Sequence, residues 1–185
     1  MNEAVADSST GMQQQELFAD DLHVPEDAGY RAPVVAKLGG ITYRQLDYWA
    51  RTGLVEPSLR TARGSGSQRL YNFRDIVTLK IVKRLLETGV TLQQIRTALD
   101  HLRDSGVTDL SQITLMSDGA SVYECRSPED MIDLVHGGQG DFGIAVGAVW
   151  REVESDLASL PAERADGSVT VVDDELSRRR ARKIG

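Results

Sequence analysis

Residues 41–71, ITYRQLDYWARTGLVEPSLRTARGSGSQRLY, decide how this chain reads. Thr42 with Gln45 three positions on is a capping box, and it opens a helix over about 43–52. Leu46, Trp49 and Ala50 share its inward side, and Gly53 ends it. Two short strands are predicted next, over 54–58 and 67–71. Pro57 confines the first to a sheet edge, and Gly64 and Gly66 supply unusual backbone angles at the tip. A helix rich in arginine and aromatics followed by a basic hairpin can set one element in a DNA groove and the other on the adjoining backbone.

The side chains sharpen that reading. Tyr43, Arg44, Asp47, Tyr48 and Arg51 occupy the faces that Leu46, Trp49 and Ala50 leave free. Arg44 stands near the positive end of the helix, where recognition helices reach base edges. A bidentate guanidinium–guanine contact there is worth about 1–3 kcal/mol of discrimination. Asp47 is placed to hold Arg44 or to accept from a cytosine amino group, while Tyr48 and Arg51 read as backbone contacts. At the hairpin, Arg60, Arg63, Ser65, Ser67, Gln68 and Arg69 offer guanidinium, amide and hydroxyl donors to phosphates or a minor groove. Tyr71 closes the strand. The 64–67 run lacks the Gly-Lys-Ser/Thr ending of a nucleotide-phosphate loop, and the glycines of 138–143 are too weakly patterned for one.

Working outward, Pro33 and the Gly39-Gly40 stop frame a helix over 33–38. Asn72 with Asp75 opens a helix over 73–88 with a wide apolar stripe, and Thr91 with Gln94 opens another over 92–104. Beyond Gly106, the runs 113–116 and 121–125 flank a turn and predict a hairpin. Ser127 and Pro128 start a short helix to about Val135. A last helix is predicted over 142–160. Its residues Phe142, Val146, Val149, Val153, Leu157 and Leu160 step by four and three, a seam for a second copy of the chain or for the helix's own domain. The fold class is mainly α with short β-hairpins: a winged helix-turn-helix domain over 30–105, then a small α+β unit over 106–160. Polar stretches at 1–29 and 161–185 read as disordered tails. Residues 17–22, Leu-Phe-Ala-Asp-Asp-Leu, have the make-up of a docking motif or of a solvated tail.

Charge is segregated. Residues 1–30 carry 7 acidic groups and no Lys or Arg; 31–105 carry 13 basic and 6 acidic; 106–185 carry 8 basic and 15 acidic. A positive middle between negative ends suits a nucleic-acid-binding module with acidic appendages. The run 178–183, Arg-Arg-Arg-Ala-Arg-Lys, adds a site for non-specific phosphate contact. Cys125 is the only cysteine, so an internal disulfide is excluded, and His23, His101 and His136 show no zinc spacing. No cofactor is expected, and no catalytic constellation stands out. No apolar run is long enough to span a bilayer, and the first 30 residues lack the basic start of a signal peptide, so a cytoplasmic, nucleoid-associated protein is expected.

Taken together, these residues resemble the MerR family of bacterial transcription regulators, over 31–105. The likeness rests on Ile41 through Leu54, on Gly66-Ser67-Gln68-Arg69-Leu70-Tyr71, on Phe73-Arg74-Asp75-Ile76 and on the junction from Gly89 to Ile95. The layout is similar to actinobacterial members with a short divergent C-terminal domain. The resemblance implies a winged-helix homodimer on a near-palindromic promoter operator, distorting the DNA so that RNA polymerase engagement is permitted or blocked. It puts Tyr43, Arg44, Tyr48 and Arg51 on the recognition helix and Arg63, Gln68, Arg69 and Tyr71 on the wing. The family often has Arg-Tyr-Tyr where this chain has Asp47-Tyr48-Trp49, and its metal sensors use several cysteines. The unit over 106–160 is left with two roles, a small-molecule effector site or dimerisation alone. Two other classes stay open: a protein-interaction adaptor built on the winged fold, and an architectural DNA-bending factor.

Overall fold

The computed structural model describes residues 24–61, 68–104 and 113–170. The acidic stretch ahead of Val24, the hairpin tip with Arg63, Ser65 and Ser67, and the basic run 178–183 lie outside them. Among the described residues there are six helices and seven short strands, and no helix is long and apolar enough to cross a membrane.

Strand β1 (Tyr30–Arg31) leads into α1 (Ala32–Gly39), with Pro33 in its first turn and Gly40 in the left-handed conformation, φ 62°, at its end. A Cβ on Gly39 would collide with Leu79, so this glycine also lets α1 sit tightly on the helix beneath. Helix α2 (Tyr43–Arg51) carries the complete Thr42–Gln45 capping box and buries Leu46 and Trp49. After β2 (Leu70–Tyr71), the Asn72–Asp75 box opens α3 (Phe73–Glu87). This is the central helix. It buries Phe73, Ile76, Val77, Leu79, Ile81, Val82 and Leu85, apolar surface on nearly every side, because elements cover it all round. Helix α4 (Leu92–Asp104) follows and buries Ile95 and Leu99.

The second half supplies β3 (Thr114–Ser117), β4 (Val122–Cys125), α5 (Pro128–His136), β5 (Phe142–Ala145) and α6 (Val146–Leu157). The strands form an antiparallel sheet in the order β4-β3-β5. Two final strands, β6 (Ala162–Glu163) and β7 (Val169–Thr170), pair with each other.

Four expectations are corrected. No strand forms over 54–58. The Leu54 and Val55 amides donate to the Trp49 carbonyl at 2.9 and 3.3 Å, Pro57 has no N–H, and the Ser58 amide donates to Asp75 at 2.9 Å. With those donors spent, β2 pairs instead with β1, Tyr30 opposite Tyr71, and only Arg60 bridges to Leu70 on the other side.

The predicted 142–160 helix begins four residues late. Phe142–Ala145 alternate between half-buried or buried and exposed, and they complete the sheet against β3.

The seam does not face a second copy. Val146, Val149, Val153 and Leu157 are 0–2% exposed within the single chain, and Phe142 packs partly against the same core. Helix α6 lies on α3, with Phe73 and Trp150 edge-to-face at 4.5 Å and the Lys80 ammonium 2.7 Å from both Glu152 and Asp156. Arg84 joins the same cluster through Glu152. One apolar cluster therefore runs from Ala28 to Ala162, across the boundary expected near residue 105.

Both expected tails are partly structured. Gly29 and Glu163 exchange two backbone hydrogen bonds of 2.8 Å, and Ala28 and Ala162 are buried beside them. The Glu163 side chain, 9% exposed, takes Arg31 at 2.6 Å and Arg60 at 2.7 Å.

Candidate nucleic-acid interface

Helix α2 is held at both ends. Its N-terminus is satisfied by Thr42 and Gln45, a cap worth about 1 kcal/mol. At its C-terminus, Gly53 turns at φ 72°, and α4 reaches across with two arginines. Arg96 donates to the carbonyl of Thr52, the C-cap, a group that a helix end leaves without a partner, and Arg103 donates to the Leu54 carbonyl in the turn that follows. The outer face of α2 is thus presented by a rigid mount.

That face carries Tyr43 at 59% exposure, Tyr48 at 49%, and exposed Arg44 and Arg51. Arg44 has no hydrogen-bond or ion-pair partner among the described residues. Asp47 does not hold it, as the sequence reading allowed. The Asp47 carboxylate instead takes Arg69 at 2.7 Å and Arg51 at 2.9 Å. The Arg69 hydrogen bond, helped by the Arg51 charge, keeps Asp47 below the usual carboxylate range, and Arg69 is raised in return. One acidic side chain therefore joins two cations and fixes the segment leading into β2 to the exposed helix. Arg31, Tyr43, Asp47, Gln68 and Arg69 line a common groove, with Gln68 exposed.

Two residues expected to contact DNA point elsewhere. Tyr71 is 0% exposed. Its ring belongs to the core, its hydroxyl is buried without a partner among the described residues, and burial pushes that phenol up to about 12. Both residues of β2, Leu70 and Tyr71, are buried, so this strand turns neither side chain to solvent. Arg60 is committed to Glu163 and to the Gln68 carbonyl at 2.9 Å. Arg63, Ser65 and Ser67 lie outside the described residues. The sequence reading missed Arg31, Arg96 and Arg103. Arg96 and Arg103 recur at helical spacing on α4, the one signal that could have marked them as a set. Arg31 offered none, since its partner is 132 residues away. Cys125 is buried on β4, and burial pushes its thiol up.

Residues 30–102 match the family described as MerR HTH family regulatory protein. An uncharacterized HTH-type transcriptional regulator of Mycobacterium tuberculosis (strain ATCC 25618 / H37Rv) is 57% identical over 185 residues, spanning 97% of this chain and 82% of its own length. Heavy metal-dependent transcription regulator 1 of Rhizobium meliloti is 36% identical over 67 residues, 36% of this chain and 44% of that protein. The HTH-type transcriptional regulator HmrR of Sinorhizobium medicae is 32% identical over 69 residues, 37% of this chain and 45% of its own. The chain belongs to the MerR family of helix-turn-helix regulatory proteins, which are transcription regulators and not enzymes.

Proposed function

We propose that the protein is a winged helix-turn-helix regulator that binds a near-palindromic promoter operator as a homodimer and distorts it, altering RNA polymerase engagement. Helix α2 is the recognition helix and enters the major groove. Arg44 reads a base edge, and Tyr43, Tyr48 and Arg51 seat the helix on the backbone. The wing is the segment leading into β2, where Arg63, Ser65, Ser67, Gln68 and Arg69 approach phosphates or the minor groove.

One observation carries this reading. Tyr43, Arg44, Tyr48 and Arg51 are all exposed on one capped helix, and Asp47 on that helix ties it to Arg69. An ordinary solvated face would not need the two elements fixed to each other. Pairing in the homodimer uses a surface other than the α6 seam, which is spent on α3. The test is genome-wide mapping of sites bound by the purified protein. A recurrent inverted repeat with fixed half-site spacing supports the reading, and binding without sequence preference removes it. The affinity should also fall steeply with salt, as counterion release requires.

A further inference from the structure

We infer that Arg31 is a further DNA contact: its guanidinium takes a backbone phosphate in the groove between α2 and the wing, with Glu163 holding its other edge. The inference rests on the DNA-binding reading of α2 and adds a residue outside both the recognition helix and the wing.

The first observation is place. Arg31 lines the same groove as Tyr43 and Asp47 of α2 and Gln68 and Arg69 of the segment leading into β2. It does so because β1 pairs with β2, which sets Arg31 opposite Leu70, the chain neighbour of Arg69. The second is charge. Two guanidinium groups and one carboxylate line this groove, and the carboxylate, Asp47, is already bonded to Arg69 and Arg51. A cationic groove between two elements that approach DNA suits a phosphate.

The third observation separates Arg31 from Arg60, the other arginine on Glu163. Arg60 gives Nη2 to Glu163 Oε1 at 2.7 Å and Nε to the Gln68 carbonyl at 2.9 Å, and its side chain is 29% exposed. It is spent inside the fold. Arg31 has Nε and Nη2 both 2.6 Å from Glu163 Oε2, and its side chain is 53% exposed. Its Nη1 has no partner among the described residues. A guanidinium is a rigid planar fork of five donors, so a carboxylate on one edge fixes the plane and leaves the remaining donors for a phosphate oxygen. Glu163 is itself held in place by the two backbone hydrogen bonds it exchanges with Gly29. A Cβ on Gly29 would stand 2.7 Å from the Glu163 carbonyl oxygen, so the close approach needs glycine there. Glu163 is thus the positioning residue, and Arg31 the one that touches DNA.

The test uses the full chain carrying Arg31→Gln or, separately, Glu163→Gln. Binding to a fluorescent operator duplex and to a mixed-sequence duplex is followed by anisotropy across a range of salt. Arg31→Gln should weaken both duplexes by the same factor, about fivefold at low salt, and make the salt slope shallower by about one unit per bound chain. Glu163→Gln disrupts the same ion pair but keeps the Arg31 charge, so its slope should be no shallower than the parent's. A second measurement depends on no variant's folding: the Arg31 guanidinium NMR signals of the parent should shift when mixed-sequence duplex is added. Unchanged affinity and slope in Arg31→Gln, a loss confined to the operator, an equal loss of slope in Glu163→Gln, or unmoved Arg31 signals would each overturn the inference and leave the reading of α2 intact. Failure of the parent to bind any duplex overturns the DNA-binding reading and this one with it.

Discussion

Arg69 donates to Asp47 across 2.7 Å, joining the segment that leads into β2 to the exposed helix α2. The same carboxylate restrains Arg51. Asp47 therefore sets the position of two cations while lowering the net charge of the surface that carries them. Asp47→Ala should raise affinity for mixed-sequence duplex and lower the ratio of operator to non-specific binding. Competition binding on both duplexes would show it, and an unchanged ratio would count against the brace.

Arg44 has no partner among the described residues, so its loss should leave their folding alone. Arg44→Ala is expected to keep the parent's thermal midpoint while weakening operator binding by about 1–3 kcal/mol. Site selection with the variant should also show relaxed preference at one position in each half-site. A uniform loss across all sequences would make Arg44 a phosphate contact.

Tyr71 separates a DNA contact from a core role. Its hydroxyl is buried and unpartnered among the described residues. Tyr71→Phe should therefore leave stability equal or raise it by up to about 1 kcal/mol, with operator affinity unchanged. Chemical denaturation and gel shift on one preparation decide the matter.

Val149 is fully buried between α6 and the rest of the chain. Val149→Ala should cost about 2 kcal/mol of unfolding free energy, through lost burial and the cavity left behind. Sedimentation should show the same oligomeric state as the parent. Dissociation without loss of stability would restore the seam as a subunit contact.

Glu163 links the acid limb of stability to two arginines. Hydrogen bonds from Arg31 and then Arg60 hold it below its ordinary value of 4.5. A carboxylate depressed by folding adds stability above its unfolded pKa, and that share drains away as pH falls through the folded value. The parent should thus lose stability on acidification below about pH 4.5. Glu163→Gln should lose about 1–2 kcal/mol at neutral pH and show a shallower acid limb, read from thermal melts across pH.

The local signals in the sequence were legible. The Thr42–Gln45, Asn72–Asp75 and Thr91–Gln94 caps marked helix starts, because each needs only residues three apart. Arg44, Tyr48 and Arg51 followed from the faces that Leu46 and Trp49 exclude. What stayed hidden is long-range. A four-and-three apolar step on α6 is the same whether α3 or a second copy covers it. Phe142–Ala145 became a strand because β3 had a free edge, which the strand's own four residues do not reveal. The partnership of Glu163 with Arg31 and Arg60 spans more than a hundred residues and leaves no periodic trace.

The packing of α6 on α3 bears on how the protein can be cut. A fragment limited to 30–102 would leave Phe73 without Trp150 and Lys80 without Glu152 and Asp156. Such a piece would show water a greasy, half-neutralised flank and should clump when expressed alone. Anyone dissecting the helix-turn-helix half will need to carry α6 along.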